Sequence, residues 1–138
     1  MSATIKRVGK GFQFDKKIAE WNKQKPKLLE EIKDESLKFF KDNYNKEGFE
    51  DSVFEKWKPK KRPNGQPTLV ATGLLRKSFK AIIGRNKVTI SNPVAYGLYH
   101  NQGTSRLPKR KFLGNSRVLE VANAKRIIKH LHPILFKK

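Results

Sequence analysis

The sequence predicts an α+β fold: a long N-terminal helix, an antiparallel hairpin-based sheet, and a short helix and a C-terminal helix packed on it. Three observations carry that expectation. Leu28, Leu29, Ile32, Phe39 and Phe40 gather on one side of a helix running from Pro26 to about Tyr44. Phe79, Ala81 and Ile83 alternate with Ser78, Lys80 and Ile82, and Val88 and Ile90 alternate with Thr89 and Ser91, on either side of a Gly84-Arg85-Asn86 turn. A last apolar stripe, Val118, Leu119, Ala122, Ile127, Ile128 and Leu131, marks a helix from about Ser116 to Leu131 that Pro133 would end.

The remaining elements follow from local chemistry. Met1 to Gly11 is polar and basic and reads as a mobile arm. Phe14, Ile18 and Trp21 then fall at helical spacing, with Asp15 near the start. Pro26 is a natural restart, because proline lacks the N–H that a helix interior uses. Residues 1–25 therefore read as a basic extension, mobile or helical, ahead of a single domain over 26–138. Glu30, Glu31, Asp34 and Glu35 lie in the first half of the main helix, where its dipole favours acids. Gly48 marks a stop, and residues 48–68 read as irregular, ending in Lys58-Pro59-Lys60-Lys61-Arg62-Pro63-Asn64-Gly65-Gln66-Pro67, whose prolines and Asn-Gly specify loop. Thr72 is placed to cap a short helix through Gly73, Leu74, Leu75, Arg76 and Lys77. Asn92-Pro93 opens another through Tyr96, Tyr99 and His100, which Gly103 closes. A basic loop over 104–110 leads to Phe112-Leu113-Gly114.

The charge is the dominant compositional feature. The 138-residue chain has 32 Lys and Arg against 12 Asp and Glu, a net charge of +20. It is uneven: +6 over residues 1–27, −4 over 28–56, and +18 over 57–138, where Glu120 is the single acid. A field of one sign repels itself, and an anionic partner or neighbour relieves it. The absence of cysteine excludes disulfides, thiol chemistry and cysteine-ligated zinc. No apolar run approaches the roughly 18–20 residues that span a bilayer, and the N-terminus lacks the apolar stretch of a secretory signal. The expectation is action in a cytoplasm, with no membrane.

Catalytic chemistry is not written in the sequence. His100, His130 and His132 have no acid nearby in the chain to complete a metal site, and His130 and His132 fall on different helix faces. A histidine nuclease would need an acid–base pair, and the C-terminal half offers only Glu120. Gly9-Lys10-Gly11 lacks the spacing and the preceding strand of a phosphate loop. The expectation is a non-enzyme with no cofactor and no small-molecule substrate. Lys58 to Arg62 and Arg106 to Lys111 could each grip a phosphate backbone without reading sequence. Trp57 and Phe112, which flank these segments, read as packed anchors rather than stacking platforms.

The order of landmarks carries a resemblance. Trp57 precedes the Pro-rich basic loop. Leu69-Val70-Ala71-Thr72-Gly73-Leu74-Leu75-Arg76-Lys77-Ser78 and the hairpin follow. Ala95-Tyr96-Gly97-Leu98-Tyr99-His100-Asn101-Gln102-Gly103 and Pro108-Lys109-Arg110-Lys111-Phe112-Leu113-Gly114 complete the set. Over residues 26–132 this resembles the virion-morphogenesis (tail-completion) family of tailed phages and prophages. Here Ala95 precedes Tyr96, where the family's usual run is Tyr-Ala.

The resemblance implies a non-enzymatic protein of the neck or tail terminus, acting in the virion and, during assembly, in the host bacterial cytoplasm. It implies that the chain forms or joins a ring with other tail or neck proteins. Candidate partner-interface residues are Trp57, Lys60, Lys61, Arg62, Arg76, Arg106, Lys109, Arg110 and Lys111. Thr72, Gly73, Leu74, Leu75, Tyr96, His100, Gly103, Pro108, Phe112, Leu113 and Gly114 are the structural motif positions, with His100 expected as a hydrogen-bonded structural histidine. The alternative is a basic protein that binds nucleic acid non-specifically.

Overall fold

A computed structural model gives the fold and describes residues 13–59 and 73–136. Lys60, Lys61, Arg62 and Thr72, the expected N-terminal arm and most of the Pro-rich loop lie outside the described residues. The fold is α+β, in the order α1 (Phe14–Asn45), β1 (Gly48–Glu50), β2 (Phe54–Lys56), α2 (Leu74–Lys77), β3 (Lys80–Ile83), β4 (Val88–Ser91), α3 (Ala95–Gln102) and α4 (Arg117–Phe136). Among the described residues the strands form two separate antiparallel hairpins, β1–β2 and β3–β4. Both hairpins and α4 pack on α1, which is the spine of the molecule.

Two prolines expected to break helices lie inside them. Pro26 sits within the 32-residue α1, and Pro133 within α4. A proline in a helix interior costs about 3 kcal/mol through its missing donor and ring clash, so tertiary contacts must offset it. Those contacts lie on both sides of Pro26. Lys25 Nζ donates to Asn86 Oδ1 at 2.8 Å, and Leu28 is buried. Further back, Lys17 Nζ donates to the carbonyls of Ile134 (2.8 Å) and Leu135 (3.2 Å), the last turn of α4. The same bonds hold the α4 end beyond Pro133. The expected restart at Pro26 and stop at Pro133 are thus overridden, and residues 14–25 are helical and continuous with the rest of α1.

The stretch after Gly48, expected to be irregular, forms β1–β2, with Gly48 opposite Lys56, Phe49 opposite Glu55 and Glu50 opposite Phe54. Gly48 is required there. A Cβ on it would lie 2.7 Å from the Glu55 carbonyl oxygen and overlap the Phe54 ring. The hairpin turn also starts α4. Asp51 Oδ1 accepts from the Arg117 N–H (2.7 Å), and Ser116 Oγ accepts from the Leu119 N–H (3.3 Å) while donating to the Glu50 carbonyl (2.6 Å).

The β3–β4 hairpin forms around the Gly84-Arg85-Asn86 turn, with Lys80 opposite Ser91 and Ile83 opposite Val88. The core is aromatic: Phe40, Tyr44, Phe49, Trp57, Phe79 and Phe112, with Leu75. Phe40 stacks on Phe79 (6.3 Å) and Phe49 (6.4 Å), and Tyr44 meets Trp57 (5.2 Å) and Phe112 (5.9 Å) edge-on. Among the described residues no helix is long and apolar enough to cross a membrane.

Candidate functional site

The segments named by the sequence converge on one place. Gly97 of α3 is buried against α2 and the Phe112 segment. A Cβ on it would lie 2.8 Å from Leu75 Cδ1 and 3.3 Å from Phe112 Cζ. Side-chain amides tie these segments together. Asn92 Nδ2 donates to the Leu75 carbonyl (2.7 Å), and its Oδ1 accepts from the Val94 N–H (3.2 Å) at the start of α3. Asn101 Oδ1 accepts from the N–H groups of Phe112 (2.9 Å) and Leu113 (3.2 Å). Trp57 Nε1 donates to the Lys111 carbonyl (2.7 Å). Gly103, at φ +78°, ends α3, and a Cβ there would lie 2.9 Å from the Lys109 nitrogen. Gly73 begins α2 in the left-handed region, and Leu74 is exposed while Leu75 is buried.

The expected interface residues among those described are spread over several places. Trp57 and Arg110 are inside the protein, at 6% and 7% exposure. Arg110 is a clamp: Nε donates to the Lys58 carbonyl (3.0 Å), Nη2 to the Pro59 carbonyl (3.2 Å), and its own N–H to the His100 carbonyl (2.8 Å). Lys58, Arg106 and Arg110 share a cleft of about 640 Å3, walled by Pro59, Pro108 and the Thr104–Leu107 turn. Thr104 Oγ1 shapes that turn by accepting from the N–H groups of Arg106 (3.2 Å) and Leu107 (3.0 Å). Lys111 turns the other way, with Nζ donating to the Asn115 carbonyl (3.2 Å) and lying 4.5 Å from the Phe49 ring centre. Lys109 shares that side, near Trp57. Arg76 is exposed on α2 and near enough to Tyr44 to act on its phenol.

Titration behaviour marks how dry this region is. Burial pushes the Tyr44 phenol well above its ordinary value, aided by Tyr96 and opposed by Arg76. Burial, with the Arg110 charge behind it, holds the His100 imidazole below its ordinary 6.5. Burial also lowers the Arg110 guanidinium. The expectation of a hydrogen-bonded His100 needs correction: its Nδ1 is buried and has no partner among the described residues. The ring instead meets Tyr96 edge-on at 6.1 Å.

Sequence reading missed the α1–α4 seam. His130 Nε2 is 2.7 Å from Glu31 Oε2, and Arg126 Nη2 is 3.3 Å from Glu35 Oε2. The His130 hydrogen bond, outweighing burial, holds the Glu31 carboxyl below its ordinary value. The acid that His130 lacks along the chain is supplied 99 residues away. The expected α4 face also shifts. Ile127 and Ile128 are exposed, whereas Arg126 and His130 are half-buried and Ile134 is fully buried. The signal available in sequence was the acidic cluster at 30–35 set against the basic residues of the last helix. No cluster of three or more metal-ligating side chains occurs among the described residues. A second, apolar groove of about 620 Å3 lies between Trp21, Leu28 and Ile32 of α1, Val88 of β4, and Leu119 and Ile127 of α4.

No family model matches the sequence, and no curated protein or solved structure matches it either.

Proposed function

We propose that this chain is a non-enzymatic structural protein of a tailed phage or prophage, acting in virion morphogenesis by completing the tail or joining tail to head. It works as a self-associating subunit of a ring-like assembly with other tail or neck proteins. The observation that carries this reading is the convergence of the ordered motifs. Leu75, Gly97 and Phe112 come from three motif segments and meet at one point, with Asn101 and Trp57 bonding the third segment's backbone. The motifs are spent on building a rigid scaffold, as an assembly subunit requires.

The scaffold presents apolar side chains outward. Leu74 of α2 and Tyr96, Leu98 and Tyr99 of α3 are exposed, the last two at 56%. Short helices that adjoin through Gly97 and carry such residues suit contact with another copy. Each hairpin also has only two strands among the described residues, so strand edges remain for a neighbour to pair. The test is native mass spectrometry of the full chain and of a Leu98→Lys/Tyr99→Lys variant, released from high salt. The wild type should give a discrete oligomer, and the variant a folded monomer with unchanged tryptophan emission. A variant that assembles as well as the wild type removes this surface from the proposal.

A further inference from the structure

The cleft between the segment after β2 and the loop after α3 is built as an anion site, and nothing in the assembly reading requires it. Its cationic side chains are Lys58, Arg106 and Arg110. No carboxylate lines it, and no carboxylate pairs with Arg110 among the described residues. A buried charge without a counter-ion is costly. Main-chain carbonyls accept from Nε and Nη2 of the Arg110 guanidinium, but they carry no formal charge to neutralise it. Its Nη1 hydrogens make no bond among the described residues and are free for an incoming oxygen. Thr104 Oγ1 accepts two N–H bonds, which leaves its own hydrogen to donate. Behind the guanidinium, burial and the Arg110 charge disfavour the protonated form of His100, so the imidazole offers no counter-charge.

We propose that the cleft formed by Lys58, Thr104, Arg106 and Arg110 binds a backbone phosphate of nucleic acid without reading its sequence. Arg110 is preorganised by its two carbonyl bonds, so its planar donor edge is fixed before the phosphate arrives. Lys58 and Arg106 are exposed at the rim and supply mobile charge. Residues 57–138 carry +18 with Glu120 as the only acid. That field extends far beyond one cleft, and it suits a continuous polyanion better than an isolated carboxylate. The inference does not depend on ring formation, since a monomer contains the whole cleft.

The test is fluorescence anisotropy of a labelled random-sequence duplex of about 25 base pairs, titrated with full-length protein across salt. The cleft variant is Lys58→Ala/Arg106→Ala, which spares the buried Arg110 clamp. The charge-matched control is Lys125→Ala/Lys129→Ala, on the exposed side of α4. The cleft variant should weaken binding by about tenfold or more and reduce the salt slope by about 1, the one phosphate the cleft holds. The control should change affinity by less than about twofold, since it leaves the cleft contacts intact. Equal losses in both variants, or no loss in the cleft variant, overturns the proposal. So does a ten-residue glutamate peptide that binds the cleft more tightly than the duplex does, which assigns the cleft to an acidic protein.

Discussion

The two sides of α1 are held by different physics. One side carries the aromatic cluster around Tyr44, Phe79, Trp57 and Phe112, where the rings are nearly all buried and the polar atoms of Asn101 and Trp57 are matched to backbone partners. The other side carries the seam to α4, where the half-exposed Glu35–Arg126 ion pair and the Glu31–His130 hydrogen bond stand beside an open apolar groove. Aromatic burial contributes through area and fit, and it is insensitive to salt. Partly exposed ion pairs contribute little and respond to salt and pH. The difference teaches that the motif cluster should set global stability, whereas the seam should tune how firmly α4 is held.

The comparison breaks most visibly at Phe112. Phe112→Ala removes a ring that touches Tyr44 and Phe79 and should destabilise the fold by about 3–5 kcal/mol in urea denaturation. A loss under about 1 kcal/mol would mean the cluster is not the stabilising centre. Asn101→Ala strands the N–H groups of Phe112 and Leu113 and should cost about 1–3 kcal/mol with little change in hydrophobic area. On the seam, Glu35→Gln should shift stability by no more than about 1 kcal/mol, and the shift should vanish in high salt.

Acid sharpens the contrast further. Glu31 is held below its ordinary 4.5 in the folded state, so the unfolded chain takes up its proton more readily. Its contribution is therefore present above about pH 4.5 and is lost as pH falls through the folded value. Trp21 lines the groove beside the seam and Trp57 lies in the cluster, so the emission difference between wild type and Trp21→Phe reports α4. That signal should change on acidification before global unfolding, and Glu31→Gln should abolish the early change. His100 acts on the other side with the same sign: its folded value lies below 6.5, so stability falls as pH drops below 6.5. His100→Leu should flatten stability between pH 7 and 5, measured by thermal melts, because it removes the buried imidazole that resists protonation.

Much of this architecture is legible in the sequence because it rests on strong local signals. The alternation around Gly84-Arg85-Asn86 places β3–β4, and Asn92-Pro93 with Gly103 brackets α3. What escapes depends on distant partners. Pro26 reads as a break because the sequence does not show Lys25 held by Asn86, or Lys17 held by the end of α4. The β1–β2 strands are three residues each, too short for alternation to register, and β2 is exposed throughout. His130 reads as partnerless in the sequence because Glu31 lies in another helix. At the site, the basic loops are legible as charge. Arg110 is not legible as a buried clamp, because only the fold reveals the Lys58 and Pro59 carbonyls that accept from its side chain.

Self-association is the central claim. Its most direct test is size-exclusion chromatography with light scattering on the full chain at high and low salt, with the 260/280 nm ratio recorded. The account predicts a discrete oligomer that persists at high salt, free of nucleic acid there and carrying it at low salt. A monomer under every condition, with or without bound nucleic acid, would contradict it.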